Sequence, residues 1–270
     1  MSRFLRHDFC PDCGSENNLA VYDDHEYCFT PSCGRLVYYD NYKETKTITT
    51  ETKPICGLPT STQPALKHRR LDASTVQKYK VTVFDDPDSD VEAIFPRFDN
   101  DGNHVANQIR LKEKQFKFQG QASKAGLFGQ PCFPAGGRSI TITEGYYDTM
   151  AAFRLTGSRY PNVGVMSAST AKKEVVNAFE YLNSFEQIII NFDNDEVGQQ
   201  AAKECAILFD PGKVRMLCLR KHKDANDYLM KGDDREYINE WHRAPVFMPD
   251  GLLLGTEMWE EIENHKPFCP

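Results

Sequence analysis

The sequence holds no apolar run approaching the ~18 to 20 residues that a membrane-spanning helix needs. Its opening residues, MSRFLRHDFC, carry no apolar core segment, so no secretory leader is legible and a reducing cytoplasmic setting is expected. An excess of positive charge is also missing. Asp and Glu number 39 against 32 Lys and Arg, which gives a net charge of -7 and a pI of about 5.6. A protein that grips nucleic acid with its whole surface is usually basic, so any such contact is confined to local patches. No G-x-x-x-x-G-K-[ST] occurs, which excludes a P-loop. Nine cysteines, an odd number, do not make a complete disulfide framework.

What remains is ordinary globular material. Apolar residues make up 40% and charged residues 26% of 270, which rules out collagen, coiled coil and wholesale disorder. Seventeen Phe and twelve Tyr supply a core, and the length predicts about two domains.

Four cysteines fall within 24 residues: Cys10, Cys13, Cys28 and Cys33. Their spacing is C-x2-C, fourteen residues, then C-x4-C, with a Gly after each pair. Four thiolates suit a tetrahedral Zn²⁺, and a module of about 40 residues is too small to fold on apolar burial alone. A structural zinc ribbon over residues 1–40 is therefore expected. His25 is an alternative ligand. A closed four-thiolate site has no open coordination position, so its role is to present side chains to a partner. The remaining cysteines, among them Cys56 and Cys269, read as small hydrophobes or surface thiols.

Residues 41–70 are rich in Thr, Lys and Pro without an apolar period and predict a flexible linker that lets the ribbon swing. Residues 71–137 read as a mixed α+β subdomain with a short helix (STVQKYK) and a hairpin turning at DNDG. From 138 to 232 short β-branched or apolar runs (SITIT, NVGVM, EQIIINF, KVRMLCL) alternate with helical stretches (TMAAFRL, AKKEVVNAFEYL, VGQQAAKECAILF). That alternation predicts an α/β fold with a parallel sheet covered on both faces. Residues 233–270 read as a tail.

In such a sheet ligands bind beyond the carboxyl ends of the strands. Here those ends run into acids: Glu144 after SITIT, Asp193 and Asp195 after IIINF, and Asp224 after KVRMLCL. Carboxylates converging there within a few ångströms would repel, and Mg²⁺ with its preference for oxygen ligands relieves that repulsion. The competing reading is that Asp195, Glu196 or Asp148 caps a helix N-terminus. Upstream, IRLKEKQFKFQGQASKAGLFG is locally basic, and Phe116 and Phe118 alternate with its lysines. The pattern suits a nucleoside triphosphate or single-stranded nucleic acid, or a plain amphipathic strand.

Taken together, CPDCG…HEYCF, QIRLKEKQFKFQG…GLFG, ITEGYYDTMAAF, EQIIINFDNDEVGQQAA and KDANDYL resemble the primase half of the primase-helicases of T7-like bacteriophages, over nearly the whole chain. The resemblance implies a zinc ribbon that reads a short sequence in single-stranded DNA. It also implies a TOPRIM core, preceded by the N-terminal subdomain of an RNA polymerase domain, that joins ribonucleotides into an RNA primer. By motif, Glu144 is metal ligand or general base, Asp193 and Asp195 hold Mg²⁺, and Asp224 supports that site. Arg110, Lys112 and Lys114 bind the nucleotide, and Asp23 and His25 touch template. A replicative helicase, fused or separate, and a DNA polymerase are the implied partners, with no membrane involved. Two departures stand out: C-x4-C in place of C-x2-C in the second pair, and Gln108 where another lysine is expected. MPDGLLLGTEMWEEIENHKP resembles the connector to a helicase half, and without a P-loop this chain is not expected to unwind DNA. A TOPRIM nuclease and a non-catalytic zinc-ribbon DNA-binding module are the alternatives. The grouped acids argue against the second.

Overall fold

The computed structural model describes residues 3–30, 33, 35–39, 65–84, 88–113, 115–249 and 263. Lys114, Cys56, Cys269, most of the stretch read as a linker and most of the connector-like end lie outside the described residues. The chain divides into two compact units, Met1–Glu51 and Thr52–Pro270.

The first unit is an antiparallel meander of β1 (Phe4–Asp8), β2 (Leu19–Tyr22), β3 (His25–Cys28) and β4 (Leu36–Tyr38), paired in that order. Its buried core is Cys10, Leu19, Val21 and Cys28. Two aliphatic side chains bury far too little area to hold a fold by themselves.

The second unit begins with α1 (Ala73–Lys78), N-capped by Asp72, whose Oδ1 accepts the Thr75 N–H at 2.9 Å. An antiparallel sheet follows, β5 (Thr82–Val83), β6 (Val91–Phe98), β7 (His104–Leu111) and β8 (Phe116–Gly120), again paired in sequence order. Asp99 closes the β6–β7 turn by accepting the Asp101 and Asn103 N–H groups. The chain then alternates through β9 (Gly137–Glu144), α2 (Tyr146–Leu155), β10 (Asn162–Val165), α3 (Ala168–Asn177), α4 (Phe179–Asn183), β11 (Phe185–Asn191), α5 (Glu196–Ala206), β12 (Val214–Met216), α6 (Ala225–Lys231) and α7 (Asp234–Arg243). The last four strands form a parallel sheet in the order β10-β9-β11-β12. Ile140 to Thr143 are buried without interruption, so both faces of β9 are covered. Helix α2 packs with α6 and α7, and α3 packs with α5. The sheet edges are met by single antiparallel bridges, Phe128 to Gly164 on β10 and Val246 to Arg215 on β12. Between the two sheets Arg97 is buried on β6 and donates to Glu174 of α3 at 2.9 Å and to the Gly126 carbonyl at 2.7 Å.

Three expectations from the sequence need correction. The end of the stretch read as a linker is packed: Leu66 and Leu71 are buried and exchange backbone hydrogen bonds, and Arg70 donates to the Met230 carbonyl at 3.0 Å. The single helix expected over AKKEVVNAFEYL breaks at Ala178, and Phe179 stacks on Phe209 at 5.3 Å. The stretch read as a tail from residue 233 begins with α7 (Asp234–Arg243), which buries Tyr237 and Trp241. Trp241 Nε1 donates to Thr141 Oγ1 at 3.0 Å, and Tyr237 Oη donates to Asn191 Oδ1 at 3.2 Å, so α7 is fastened to β9 and β11.

Trp241→Ala is expected to cost about 3–5 kcal/mol of stability, read as a lower midpoint in urea denaturation. An unchanged midpoint would show that α7 is not part of the core.

Candidate active site and metal centres

In the first unit the Cys10 and Cys33 sulfurs lie 3.6 Å apart and the Cys13 and Cys28 sulfurs 3.7 Å apart. All four lie within 4.8 Å of one another. A tetrahedron with Zn–S arms of ~2.3 Å has edges of about 3.8 Å, so the cluster is shaped for such an ion. Gly14, at φ +73°, makes the first knuckle possible by turning its N–H back to the Cys10 carbonyl at 2.9 Å. The Thr30 hydroxyl lies 3.5 and 3.4 Å from the Cys13 and Cys28 sulfurs and is itself held by Asn18. His25 is not in the cluster. Its ring stacks on Tyr22 at 4.4 Å, and its Nδ1 lies 2.6 Å from an Asp24 oxygen. Asp23 is exposed in the β2–β3 turn, where its Oδ1 accepts the Arg3 N–H at 2.8 Å.

In the second unit the chain leaves β9 in one direction to β10 and crosses back to β11, which makes the β9/β11 boundary the switch point of the sheet. The register pairs Thr143 with Asn191, so Glu144 and the Phe192–Asp193 step emerge side by side. Gly145, at φ +81° and ψ 149°, turns the chain sharply into α2, a conformation open to glycine. Glu144 Oε1 accepts the Ala168 N–H at 2.9 Å, while Oε2 is buried with no hydrogen-bond partner. Asp195 caps α5, its Oδ1 accepting the Gly198 N–H at 2.7 Å. A Cβ on Gly198 would meet the Asp193 carbonyl at 2.4 Å, so only glycine lets the helix approach the acidic loop this closely. Asp224 caps α6 through the Asp227 N–H at 2.8 Å.

From the sequence alone Asp148 is only a candidate helix cap. The structure places it on the first turn of α2, where its Oδ1 accepts the Asn226 N–H at 2.9 Å and its carboxyl shares a hydrogen bond with Asp224. Gly145, not Asp148, is the N-cap of α2. The signal available was E-x3-D across a strand-to-helix turn. Asp195 and Asp224 do serve as caps, which leaves each with one oxygen uncommitted to that bond.

The electrostatics record crowding. Burial pushes Glu144 above the usual carboxylate range; the Ala168 N–H opposes the shift, and the charges of Asp193 and Asp195 add to it. Burial likewise raises Asp193, with Lys223 opposing and Asp224 and Asp195 reinforcing. Asp148 is raised most, by burial and then by Asp224. Apart from the Asp148–Asp224 hydrogen bond, the acids do not close into a tight three-ligand cluster. Among the described residues only the four cysteines bring three or more ligand atoms within 4.8 Å of one another. Glu144, Asp195 and Asp224 each give one oxygen to a backbone N–H.

The basic residues separate. Arg110, on β7, is paired with Glu92 at 2.9 Å and lies 5.0 Å from both the Phe116 and Tyr147 rings. Its guanidinium is a wall element rather than an unengaged phosphate contact. Burial pushes Glu92 up, but hydrogen bonds from Tyr147, His68 and Arg110 outweigh it and hold the carboxyl below its usual value. Lys112 is exposed in the turn after β7, and Lys114 lies outside the described residues. Between the two sheets, a cavity of about 400 Å³ is bordered by Phe95, Arg110, Phe116, Phe118, Tyr147 and Asp148.

Because Asp148 is raised, the folded chain keeps a proton that the unfolded chain releases above about pH 4. Stability therefore falls as pH rises from there until the folded-state carboxyl ionises. Relative to the parent, Asp148→Asn is expected to gain stability between pH 4 and pH 7 in urea denaturation at both values. A difference independent of pH would show that Asp148 titrates as an ordinary carboxyl.

A Toprim-like family model matches residues 141–229. The DNA helicase/primase of Enterobacteria phage T3 is 31% identical over 275 residues, a match that spans 97% of this chain and 48% of that protein. The chain thus covers about half the length of that relative. The crystal structure of the primase fragment of the bacteriophage T7 primase-helicase superposes with a TM-score of 0.61 at 32% identity, covering 88% of this chain and 99% of that one. Primase domains of bacteriophage T7, bound to an RNA/DNA hybrid and dTTP and interacting with the lagging-strand DNA polymerase, match with a TM-score of 0.60 at 35% identity. That match covers 70% of this chain and 94% of the other. With a four-cysteine ribbon ahead of a Toprim-like parallel sheet, the chain belongs to the family of the T3 and T7 phage primase-helicases and corresponds to their primase part.

Proposed function

We propose that the chain is a DNA primase, a nucleotidyltransferase that joins ribonucleoside triphosphates into short RNA primers on single-stranded DNA. The observation that carries this reading is the buried, unpartnered Glu144 Oε2 set beside Asp193 and Asp195 at the switch point. In the reaction a 3′-hydroxyl attacks the α-phosphorus of the incoming nucleotide, and the bond to pyrophosphate breaks. Glu144, raised toward neutrality, is suited to take the hydroxyl proton.

Mg²⁺ fits this site: the donors are carboxylate oxygens, they repel one another, and one is buried without a partner. Asp193, Asp195 and Asp224, with Glu144, would hold it. Bound there, Mg²⁺ supplies positive charge to the phosphoryl oxygens. Lys112 and Lys114 bring further positive charge to the nucleotide. In the first unit Cys10, Cys13, Cys28 and Cys33 hold Zn²⁺, and Asp23 and His25 at the tip of the hairpin face the template.

The domain reading that accompanies this function keeps residues 1–40 as ribbon and 138–232 as TOPRIM core, with the core extended by α7. The partners are single-stranded DNA, ribonucleoside triphosphates, a replicative helicase and a DNA polymerase. The polymerase is supported by the T7 complex in which primase domains interact with one. The setting is the cytoplasm of an infected host cell. No helix among the described residues is long and apolar enough to cross a membrane.

Incubation with single-stranded DNA, labelled ATP and CTP, and Mg²⁺ is expected to yield short oligoribonucleotides. Shortened DNA would indicate a nuclease, and no product at all a binding module. Asp193→Ala is expected to lower primer synthesis by at least about a hundredfold while filter binding to DNA stays largely intact. Cys33→Ser is expected to lose zinc by atomic absorption and to lose template-dependent synthesis, yet to keep template-independent joining. Normal template reading by this variant would remove the ribbon from the reading role.

A further inference from the structure

The cavity between the two sheets contains one polar group that the primase reading leaves unexplained. Gln108 lies in the middle of β7 and is only 6% exposed, and its Oε1 has no hydrogen-bond partner. A buried acceptor without a donor is costly, and folded chains rarely keep one without a use for it.

The sheet register says what surrounds it. Phe95 on β6 and Phe118 on β8 are the direct cross-strand partners of Gln108, and Arg110 and Phe116 face each other one pleat further along. Residues two apart share a face, so Gln108 and Arg110 stand in one row and Phe116 and Phe118 in another, on the side that borders the cavity. Phe116 and Phe118 are roughly half exposed, at 47% and 48%, on the outer strand. Gly145 and Asp148 border the same cavity from the acidic side. The result is a slot with flat apolar walls, an acceptor without a partner among them, and the Asp148 carboxyl at one end.

A planar heterocycle fits those walls, because aromatic rings accept any base face by stacking. The acceptor selects an edge that carries an N–H donor, and a carboxamide is well suited to an exocyclic amino group. We infer that Gln108 is a specificity-determining residue, its Oε1 accepting from the exocyclic amino group of the base (adenine, cytosine or guanine) on the incoming ribonucleotide while Phe116 and Phe118 stack on that base. The inference rests on the primase reading for the identity of its ligand. The incoming nucleotide is favoured over a template base because a base in the slot brings its phosphates toward Asp148 and the Glu144–Asp193 pair.

Equilibrium binding measured by calorimetry in Mg²⁺ tests this without requiring synthesis. ATP is compared with purine riboside triphosphate, CTP with pyrimidin-2-one riboside triphosphate, and GTP with inosine triphosphate, each analogue lacking only the amino group. In at least one pair the amino-bearing nucleotide is expected to bind about tenfold more tightly. Gln108→Leu is expected to abolish that preference by weakening the amino-bearing nucleotide alone. Phe118→Ala, at an exposed position that folding tolerates, is expected to weaken both members of a pair equally. Equal binding of both members of each pair by the parent chain overturns the inference, as does a preference that survives in Gln108→Leu. A preference seen only with oligodeoxynucleotides carrying adenine or purine overturns the assignment to the incoming nucleotide. If the preference behaves as expected but no oligoribonucleotide forms in the synthesis assay, the base site stands and the primase reading fails.

Discussion

Burial of carboxylates that the fold will not let separate sets the character of the acidic edge of the second unit. Glu144 is fixed at the end of β9 by the Gly145 turn, and Asp193 is fixed by the register of β11 and the close approach of Gly198. Asp148 and Asp224 are drawn together by the packing of α2 on α6. Each placement follows from backbone geometry, so the charges cannot relax apart as surface acids would. Burial first, and the neighbouring charges second, raise the proton affinity of Glu144, Asp148 and Asp193.

Around this edge the antiparallel sheet supplies the opposite wall. It is attached by the buried Arg97–Glu174 pair and by a second network in which Glu92 receives Tyr147, His68 and Arg110. Tyr147 lies in the same helical turn as Asp148, so the network that orients Arg110 also anchors the helix carrying an acid of the site. Breaking a buried pair of this kind leaves an uncompensated charge and loosens both sheets together.

Much of this was legible in the residues. The run of three isoleucines in β11 and the β-branched β9 announced central strands because both faces of such strands are buried. The cysteine spacing announced a metal module because few other arrangements of four thiols are useful in a reducing setting. Other parts were hidden for physical reasons. Leu66 and Leu71 are lone apolar anchors around a basic run, and α7 buries just Tyr237 and Trp241 within the charged string DREYINEWHR, so neither raised a periodic signal. The engagement of Arg110 by Glu92 depends on a neighbouring strand, which no local pattern reveals. Gln108 stood out in the sequence as a missing lysine, whereas its burial without a partner is a property of the folded cavity.

The two short bridges at the margins of the parallel sheet also constrain how copies of the chain can associate. Phe128 lies outside β10 and exchanges backbone hydrogen bonds with Gly164, while Val246 lies outside β12, where its neighbours Pro245 and Phe247 bond to Met216 and Val214. At those positions the outer strands of the parallel sheet have their backbone groups engaged, which removes them from pairing with an added strand. The antiparallel sheet differs in this respect, because its last strand, β8, keeps Phe116 and Phe118 half exposed.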